Sequence, residues 1–176
     1  MSRIFGPVYQ AGYIVDNLDA GIRHWVGKLG VGPFFRVTVE FERYVHKGVA
    51  SNPVLEVALA NSGDLQIELI QQLNDEPSSY VEFLRDHGPG LQHLSVWTEA
   101  FDADLARWAA MGQTVVTEAT LTVGGTRVVF YDTDMPGATG AQMEVLDLTE
   151  PARYVIQTVR EAAIGWDGRD PVRRFG

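Results

Sequence analysis

Four polar side chains lie in runs that otherwise have the composition of buried β-strands. Glu68 and Glu144 lie within "LQIELI" and "AQMEVL", His93 lies within "GLQHLSVW", and Gln10 lies in "YQAGYI". Carboxylates are unfavourable in central strands, and burying one is costly unless another group compensates its charge. A divalent cation would compensate the charges of both carboxylates. Carboxylate oxygens, an imidazole nitrogen and an amide oxygen are suitable ligands for Zn, Ni, Co, Mn or Fe. The sequence therefore predicts a metal site at these four residues, unless the carboxylates lie on a solvated sheet face.

The four residues occupy equivalent positions of an internal repeat. Aligning "YQAGYI" with "QHLSVW" places Gln10 on His93, and aligning "LQIELI" with "AQMEVL" places Glu68 on Glu144. Since alternate residues of a strand share a face, each glutamate points to the same side as the glutamine two positions before it. The chain therefore carries its polar residues at matched places in a duplicated structural unit.

Hydrophobic periodicity predicts the elements that hold these residues. It indicates a β-α-β-β-β unit in residues 1–73 and a second one in residues 90–149, with "FFRVTVEF" and "VLEVALA" among the strands. Residues 74–89 predict a linker helix, and residues 150–176 predict a C-terminal helix followed by a tail. The predicted fold class is therefore α+β, with two tandem modules.

The composition narrows the classes of partner. The net charge of −9 opposes nucleic-acid binding, which needs a basic surface, and the lack of cysteine excludes disulfides and thiolate metal ligands. No apolar run is long enough to span a bilayer, and the first residues lack the apolar segment of a secretory signal. We therefore expect a cytoplasmic protein that acts on a small molecule, with neither a membrane nor a nucleic acid as a partner. The open edges of the predicted sheets favour a homodimer.

From about residue 7 to residue 149, the doubled unit resembles the vicinal oxygen chelate superfamily, which includes glyoxalase I, methylmalonyl-CoA epimerase and extradiol dioxygenases. The resemblance rests on the polar residue that opens each unit, Gln10 or His93, and the glutamate that closes it, Glu68 or Glu144. It implies that the two modules form one cupped mixed sheet and that these four residues bind a divalent metal ion in the cup.

The resemblance also implies a reaction. In this superfamily the metal is a Lewis acid that stabilises an enolate or a similar anion, and a carboxylate moves the proton. The stretch "QQLNDEPSSYVEFLRDHGPGLQHLSVW" is most similar to methylmalonyl-CoA epimerase, in which two glutamates matching Glu56 and Glu144 act as acid and base. We therefore expect a metal-dependent isomerase or epimerase of a small oxo-acid or acyl thioester, with Glu144 and either Glu56 or Glu68 as catalytic residues. The order of the predicted ligands differs from that of methylmalonyl-CoA epimerase, which usually has His first and Gln second, whereas this chain has Gln10 and Glu68.

Other members of the superfamily give alternative functions. Some glyoxalase I enzymes share the ligand order Gln, Glu, His, Glu, but Ile14 stands where they have the arginine that anchors glutathione. An extradiol dioxygenase would need a second histidine where Gln10 stands. Proteins of the bleomycin-resistance type bind small molecules on this fold without turnover, although they generally lack the ligand set. A glyoxalase I-like lyase and a binding protein therefore remain as alternatives.

Overall fold

A computed structural model of the chain describes residues 2–133 and 140–176. The strands are β1 (Gln10–Ile14), β2 (Phe34–Val39), β3 (Phe41–His46), β4 (Val49–Ala50), β5 (Leu55–Ser62), β6 (Leu65–Gln72), β7 (Gly90–Thr98), β8 (Val115–Leu121), β9 (Arg127–Asp132), β10 (Gln142–Asp147) and β11 (Val172–Arg173). The helices are α1 (Leu18–His24), which continues as a π-helical turn at Trp25–Leu29, α2 (Ser79–His87), α3 (Phe101–Ala110) and α4 (Glu150–Ala163). The strands form one mixed sheet in the order β11-β2-β5-β6-β1-β7-β10-β9-β8-β3-β4.

Two halves of the sheet repeat the same arrangement. The strand order is β2-β5-β6-β1 in the first half and β8-β9-β10-β7 in the second. In each half the first strand, β1 or β7, pairs in parallel with the last strand, β6 or β10. The two first strands pair antiparallel with each other and so join the halves. The prediction of an α+β fold with two β-α-β-β-β modules in one mixed sheet is confirmed.

The run "FFRVTVEF", predicted to be one strand, is divided at Glu40 into β2 and β3. Strand β2 pairs with β5 on one side of the sheet, whereas β3 pairs with β8 on the other side. The carbonyl oxygen of Glu40 accepts hydrogen bonds from the backbone N–H and the hydroxyl of Thr122, at 3.0 and 3.2 Å. A single residue thus connects the two sides, and the sheet has to curve into a cup to bring them together. The β3–β4 hairpin is an insertion that the sequence did not predict.

Helices α1 and α3 cover the outer face of the cup. The side chain of Asn17 accepts a hydrogen bond from the first turn of α1, and the π-helical turn ends at Gly30, which has a left-handed φ of 67°. The buried face of α1 includes Leu18 and Ile22, and that of α3 includes Trp108. These residues recur at helical spacing in the sequence, which explains why both helices could be predicted.

Helices α2 and α4 lie against the inner face. Helix α2 buries Tyr80 and Phe83 in the same apolar cluster as Phe130 of β9, and α4 adds Val159, whose exposure is 0%. After α4 the chain returns to the sheet, because β11 pairs with β2. The inner face is therefore screened from solvent by two helices. None of the helices in residues 2–133 and 140–176 is long and apolar enough to cross a bilayer.

Candidate metal centre

Two rows of residues cross the centre of the sheet on its inner face. Strand pairing places Gly12 of β1 between Glu68 of β6 and His93 of β7. The adjacent row, two residues along the strands, consists of Gln66, Gln10, Ser95 and Glu144. The four residues that the sequence predicted as metal ligands all lie in these two rows.

The side chains of three predicted ligands converge on the fourth, at Nε2 of His93. This nitrogen lies 3.2 Å from Oε2 of Glu68, 3.5 Å from Oε1 of Gln10 and 3.9 Å from Oε2 of Glu144. The histidine is 1% exposed, and Gln10 and Glu144 are also buried. All three neighbouring oxygens are hydrogen-bond acceptors when the carboxylates are ionised, so either a proton on Nε2 or a bound cation has to compensate them.

Gly12 makes room for the imidazole ring. A Cβ atom at this position would lie 2.1 Å from Cε1 of His93 and 2.3 Å from Nε2. Neither distance is compatible with a side chain, so glycine is required for the ring to lie across β1. The sequence analysis did not single out Gly12, although an isolated glycine within a strand often marks a close approach.

A β-bulge turns Gln92 toward the same face as His93. Gly12 is opposite His93 and Tyr13 is opposite Leu91, which leaves Gln92 without a partner in the pairing of β7 with β1. Oε1 of Gln92 lies 2.6 Å from Nδ1 of His93. The sequence analysis overlooked Gln92, because regular alternation would place it on the opposite face.

Hydrogen bonds behind His93 fix which of its nitrogens carries the proton. The Nε2 amide group of Gln92 donates to Oε1 of Gln142 at 2.8 Å, and the Nε2 group of Gln142 donates to Oδ1 of Asp132 at 2.9 Å. Since an ionised carboxylate only accepts, Asp132 orients both amides, and Oε1 of Gln92 is left to accept from Nδ1–H. With a metal bound, an unprotonated Nε2 would then be the donor atom, which is the arrangement found in metal-binding histidines.

The other ligands are oriented in a similar way. The Nε2 group of Gln10 donates to Oε1 of Gln66 at 2.8 Å, which leaves Oε1 of Gln10 directed toward His93. The hydroxyl of Ser95 donates to Oε1 of Glu144 at 2.6 Å and leaves its Oε2 nearer the histidine. The oxygens of Gln10 and Glu144 that face the centre therefore belong to side chains held by a second residue.

Burial and mutual repulsion shift the pKa values at the centre. Burial raises the pKa of Glu144, and the charge of Glu68 adds to this, whereas His93 and the hydrogen bond from Ser95 oppose it. Burial lowers the pKa of His93, but the two carboxylates outweigh it, so the net shift is upward. A divalent cation would reverse both shifts, because it favours ionised carboxylates and an unprotonated Nε2.

The spacing of these atoms can be compared with that of ligands around a shared ion. Ligands at metal distances of about 2.0–2.2 Å lie roughly 3–3.5 Å from one another. Nε2 of His93 has this separation from Glu68 and Gln10, whereas Glu144 lies slightly beyond it. Within residues 2–133 and 140–176, no three His, Asp or Glu side chains are already arranged as a metal site. The donor set fits a divalent ion once Glu144 moves closer by a few tenths of an ångström.

Glu56, predicted as a catalytic residue, is not brought to this centre. It lies on the outer face of β5, where its carboxylate accepts hydrogen bonds from Nε and Nη2 of Arg36 at 2.6 and 2.7 Å. Arg36 also pairs with Asp19 of α1. The neighbouring residues Val57 and Leu59 point into the cup instead. Glu56 therefore connects the sheet to α1, and it is not brought together with the other predicted catalytic residues, Glu68 and Glu144.

A cavity of about 340 Å³ adjoins the ligands and lies between the inner face of the sheet and α4. Gln10 and Glu68 form part of its wall. Most of the rest is apolar, and includes Val57, Leu59, Trp97, Leu146, Val155 and Phe175. The volume is within the range of small-molecule sites, roughly 300–1,000 Å³. A molecule in this cavity would touch the oxygens that face His93.

A cupped sheet of two β-α-β-β-β modules, with buried ligand-type side chains at its centre, defines the class of protein. The model of the Glyoxalase/Bleomycin resistance protein/Dioxygenase superfamily matches residues 9–130. The chain belongs to this superfamily, which confirms the resemblance to vicinal oxygen chelate proteins. A search of curated proteins gives no significant match.

Solved structures of low sequence identity share the fold. Methylmalonyl-CoA epimerase from Mycobacterium tuberculosis superposes with a TM-score of 0.57 at 21% identity, over 83% of this chain and 90% of that one. The Streptomyces coelicolor methylmalonyl-CoA epimerase in complex with 2-nitronate-propionyl-CoA gives 0.55 at 19% identity, over 81% and 96%. A hypothetical protein from Bacillus halodurans C-125 gives 0.57 at 16%, over 80% and 92%.

Proposed function

We propose that the protein is a metal-dependent isomerase or epimerase that moves a proton next to the carbonyl group of a small molecule. The observation that carries the proposal is the convergence of Gln10, Glu68 and Glu144 on Nε2 of His93, with Nδ1 held by Gln92. Superfamily membership and the fold shared with methylmalonyl-CoA epimerases support this class of reaction.

The proposed roles follow from the positions of the side chains. Gln10, Glu68, His93 and Glu144 would hold a divalent ion of Zn, Ni, Co, Mn or Fe, which when bound supplies a Lewis acid for the carbonyl oxygen. Glu144 would carry the proton, because its carboxyl group is buried beside Nε2 of His93 on the strand next to β7. Glu68 would act as the second proton carrier. Its strand, β6, lies on the other side of β7 from the strand of Glu144, and Glu68 also lines the cavity.

Elemental analysis of the purified protein beside its His93→Ala variant tests the proposal. We expect about one equivalent of a transition metal per chain in the wild type and none in the variant, which should still fold. Glu144→Gln should lower turnover more than metal occupancy. Full metal content in His93→Ala would refute the site, and equal loss of both properties in Glu144→Gln would reduce Glu144 to a plain ligand.

A second candidate is the binding of a small molecule without turnover, which the mainly apolar cavity favours. Deuterium exchange distinguishes the two functions, because only the enzyme transfers solvent deuterium to a carbon next to a carbonyl. The glyoxalase I-like lyase has less support, since Ile14 is buried in the core where that enzyme needs an arginine.

We also propose a cytoplasmic homodimer. The proposal of a dimer rests on the open edges of the sheet, where β4 at one end presents the exposed residues Val49 and Ala50. Light scattering of the protein in solution measures its mass and would reject the dimer if only a single chain is found.

A further inference from the structure

The cavity beside the candidate metal centre has an acidic and mainly apolar lining. Among the described residues that line it, the charged ones are Glu40 and Glu68, and both are acidic. The phosphates of coenzyme A, or the carboxylate of an oxo-acid, would need lysine or arginine partners. This cavity offers them none.

The basic side chains of α4, which forms one wall of the cavity, are engaged elsewhere. On α4, Arg153 pairs with Glu99 and Arg160 pairs with Asp64. The N-terminus of α4 is also satisfied internally, because the Thr149 side chain and backbone carbonyl accept from the N–H groups of the first turn. Neither a guanidinium nor free helix N–H groups of α4 are therefore directed to an anion in the cavity.

The bound ion would not supply the missing positive charge. As ligands of a divalent cation, the two carboxylates of Glu68 and Glu144 would match its two positive charges. A substrate anion would then enter an apolar cavity of about 340 Å³ without a net opposing charge. Burying an unpaired carboxylate is unfavourable, so a neutral carbonyl compound binds in preference.

A second cavity, of about 210 Å³, does contain basic residues, but it lies on the other side of the histidine. His46, Lys47 and His87 line it together with Gln92 and Gln142. These glutamines lie on the Nδ1 side of His93, whereas the ligand oxygens lie on the Nε2 side. A carbonyl group bound at the ligands would therefore project into the first, acidic and apolar, cavity.

We infer that the substrate is an uncharged, mainly apolar carbonyl compound, and is neither an acyl-CoA thioester nor a free oxo-acid. This inference rests on the proposed function, which it narrows to one class of substrate. It departs from the ligand of the similar Streptomyces coelicolor structure, which is a CoA derivative.

Deuterium exchange by the metal-reconstituted full chain tests the inference with matched probes. The probes are methyl 4-methyl-2-oxopentanoate, the corresponding free acid and methylmalonyl-CoA, each corrected for its spontaneous exchange. We expect the neutral ester to exchange at least tenfold faster than either anion. Equal or faster exchange of the acid or the thioester would overturn the inference while supporting the proposed proton transfer.

Binding to the metal-free protein separates failure of the inference from failure of the proposed function. If no probe exchanges, ligand-observed NMR still compares the affinities of the ester and the acid. Tighter binding of the ester by about tenfold supports the inference even without catalysis. Equal binding, or no binding of the ester, overturns it.

A charge reversal at the cavity wall provides the matched control. Glu40→Lys should raise the affinity for the free acid by at least threefold and leave that for the ester unchanged. Glu42→Lys makes the same change in net charge at an exposed position outside the cavity and should alter neither. If Glu40→Lys leaves the affinity for the acid unchanged, the charge of the cavity does not set the preference.

Discussion

Nδ1 of His93 donates to Oε1 of Gln92, the residue directly before it in the chain, at a distance of 2.6 Å. Adjacent residues of a regular strand point to opposite faces, so this contact exists only because the β-bulge in β7 breaks the alternation. The bulge therefore provides a ligand and the residue that orients it from consecutive positions.

Replacing Gln92 tests whether this contact orients the histidine. Gln92→Leu removes the acceptor of Nδ1–H, and we expect the affinity for the metal to fall about 10–100-fold, as for other partners of metal-bound histidines. Gln92→Glu keeps an oxygen at this position and should retain most of the affinity. Competition with a metal-sensitive chelator measures both. Wild-type affinity in Gln92→Leu would show that the ring is held by packing alone.

Gly12→Ala should displace His93, because the new Cβ would lie 2.1 Å from Cε1. We expect metal binding to be lost and the free energy of unfolding to fall by about 1–3 kcal/mol, as for other overpacked sites. Gly27→Ala is the control, since a Cβ there meets no atom within 4 Å. Chemical denaturation measures the stability of both variants, and elemental analysis measures their metal content. A Gly12→Ala protein with its full metal content would contradict the geometry.

Glu56→Gln should affect stability and not turnover. The hydrogen bond from Arg36 lowers the pKa of Glu56 below its ordinary value of 4.5, although burial opposes the shift. A carboxyl group whose pKa is lower in the folded state stabilises that state at pH values above its unfolded-state pKa. This stabilisation disappears as the pH falls through the folded-state pKa. We expect the variant to lose roughly 0.5–1 kcal/mol at pH 7 and to match the wild type in acid.

Denaturation of Glu56→Gln and the wild type across this pH range measures the difference. The metal content and exchange rate of the variant should equal those of the wild type. A large loss of turnover with unchanged stability would restore Glu56 as a catalytic residue, against its position on the outer face.

Val159→Ala tests how firmly α4 is attached to the cup. The side chain is fully buried in the inner cluster, so its truncation should cost roughly 1.5–3 kcal/mol of unfolding free energy. Gln157→Ala, at an exposed position of the same helix, should change stability by less than about 0.5 kcal/mol. Equal effects of the two substitutions in thermal or chemical denaturation would show that α4 contributes little to the inner core.

The convergence of the predicted metal ligands could be anticipated from the sequence because it depends on two regular features. The alternation of strand residues assigns Glu68 and Glu144 to a face, and the repeat assigns Gln10 and His93 to the same place in two modules. The alternation of strand residues also predicts the face on which Glu56 lies. Val57 and Leu59 are the apolar residues of the inner face in "VLEVALA", so Glu56 belongs to the outer face. Here the resemblance to a known enzyme and the local pattern gave different expectations for Glu56.

The features that escaped prediction depend on pairing between distant strands. The bulge at Gln92 is a mismatch between β7 and β1, and nothing in "GLQHLSVW" alone determines it. Likewise, "FFRVTVEF" gives no sign of a break at Glu40, because the residues on both sides suit strands and only their partners differ. The requirement for Gly12 becomes visible only when the neighbouring ring is in place.

The division of the chain at Glu40 into β2 and β3, which lie on opposite sides of the sheet, has a consequence for folding. Strand β3 comes from the first module but forms the neighbour of β8 in the second, and the ion pair between Arg43 and Glu118 joins residues 75 positions apart. A protein dominated by such remote pairings folds slowly, because a long loop must close before the contacts form. The two modules also cannot be separated at the linker without taking an edge strand from one of them. The duplicated halves thus depend on each other for their strand pairing.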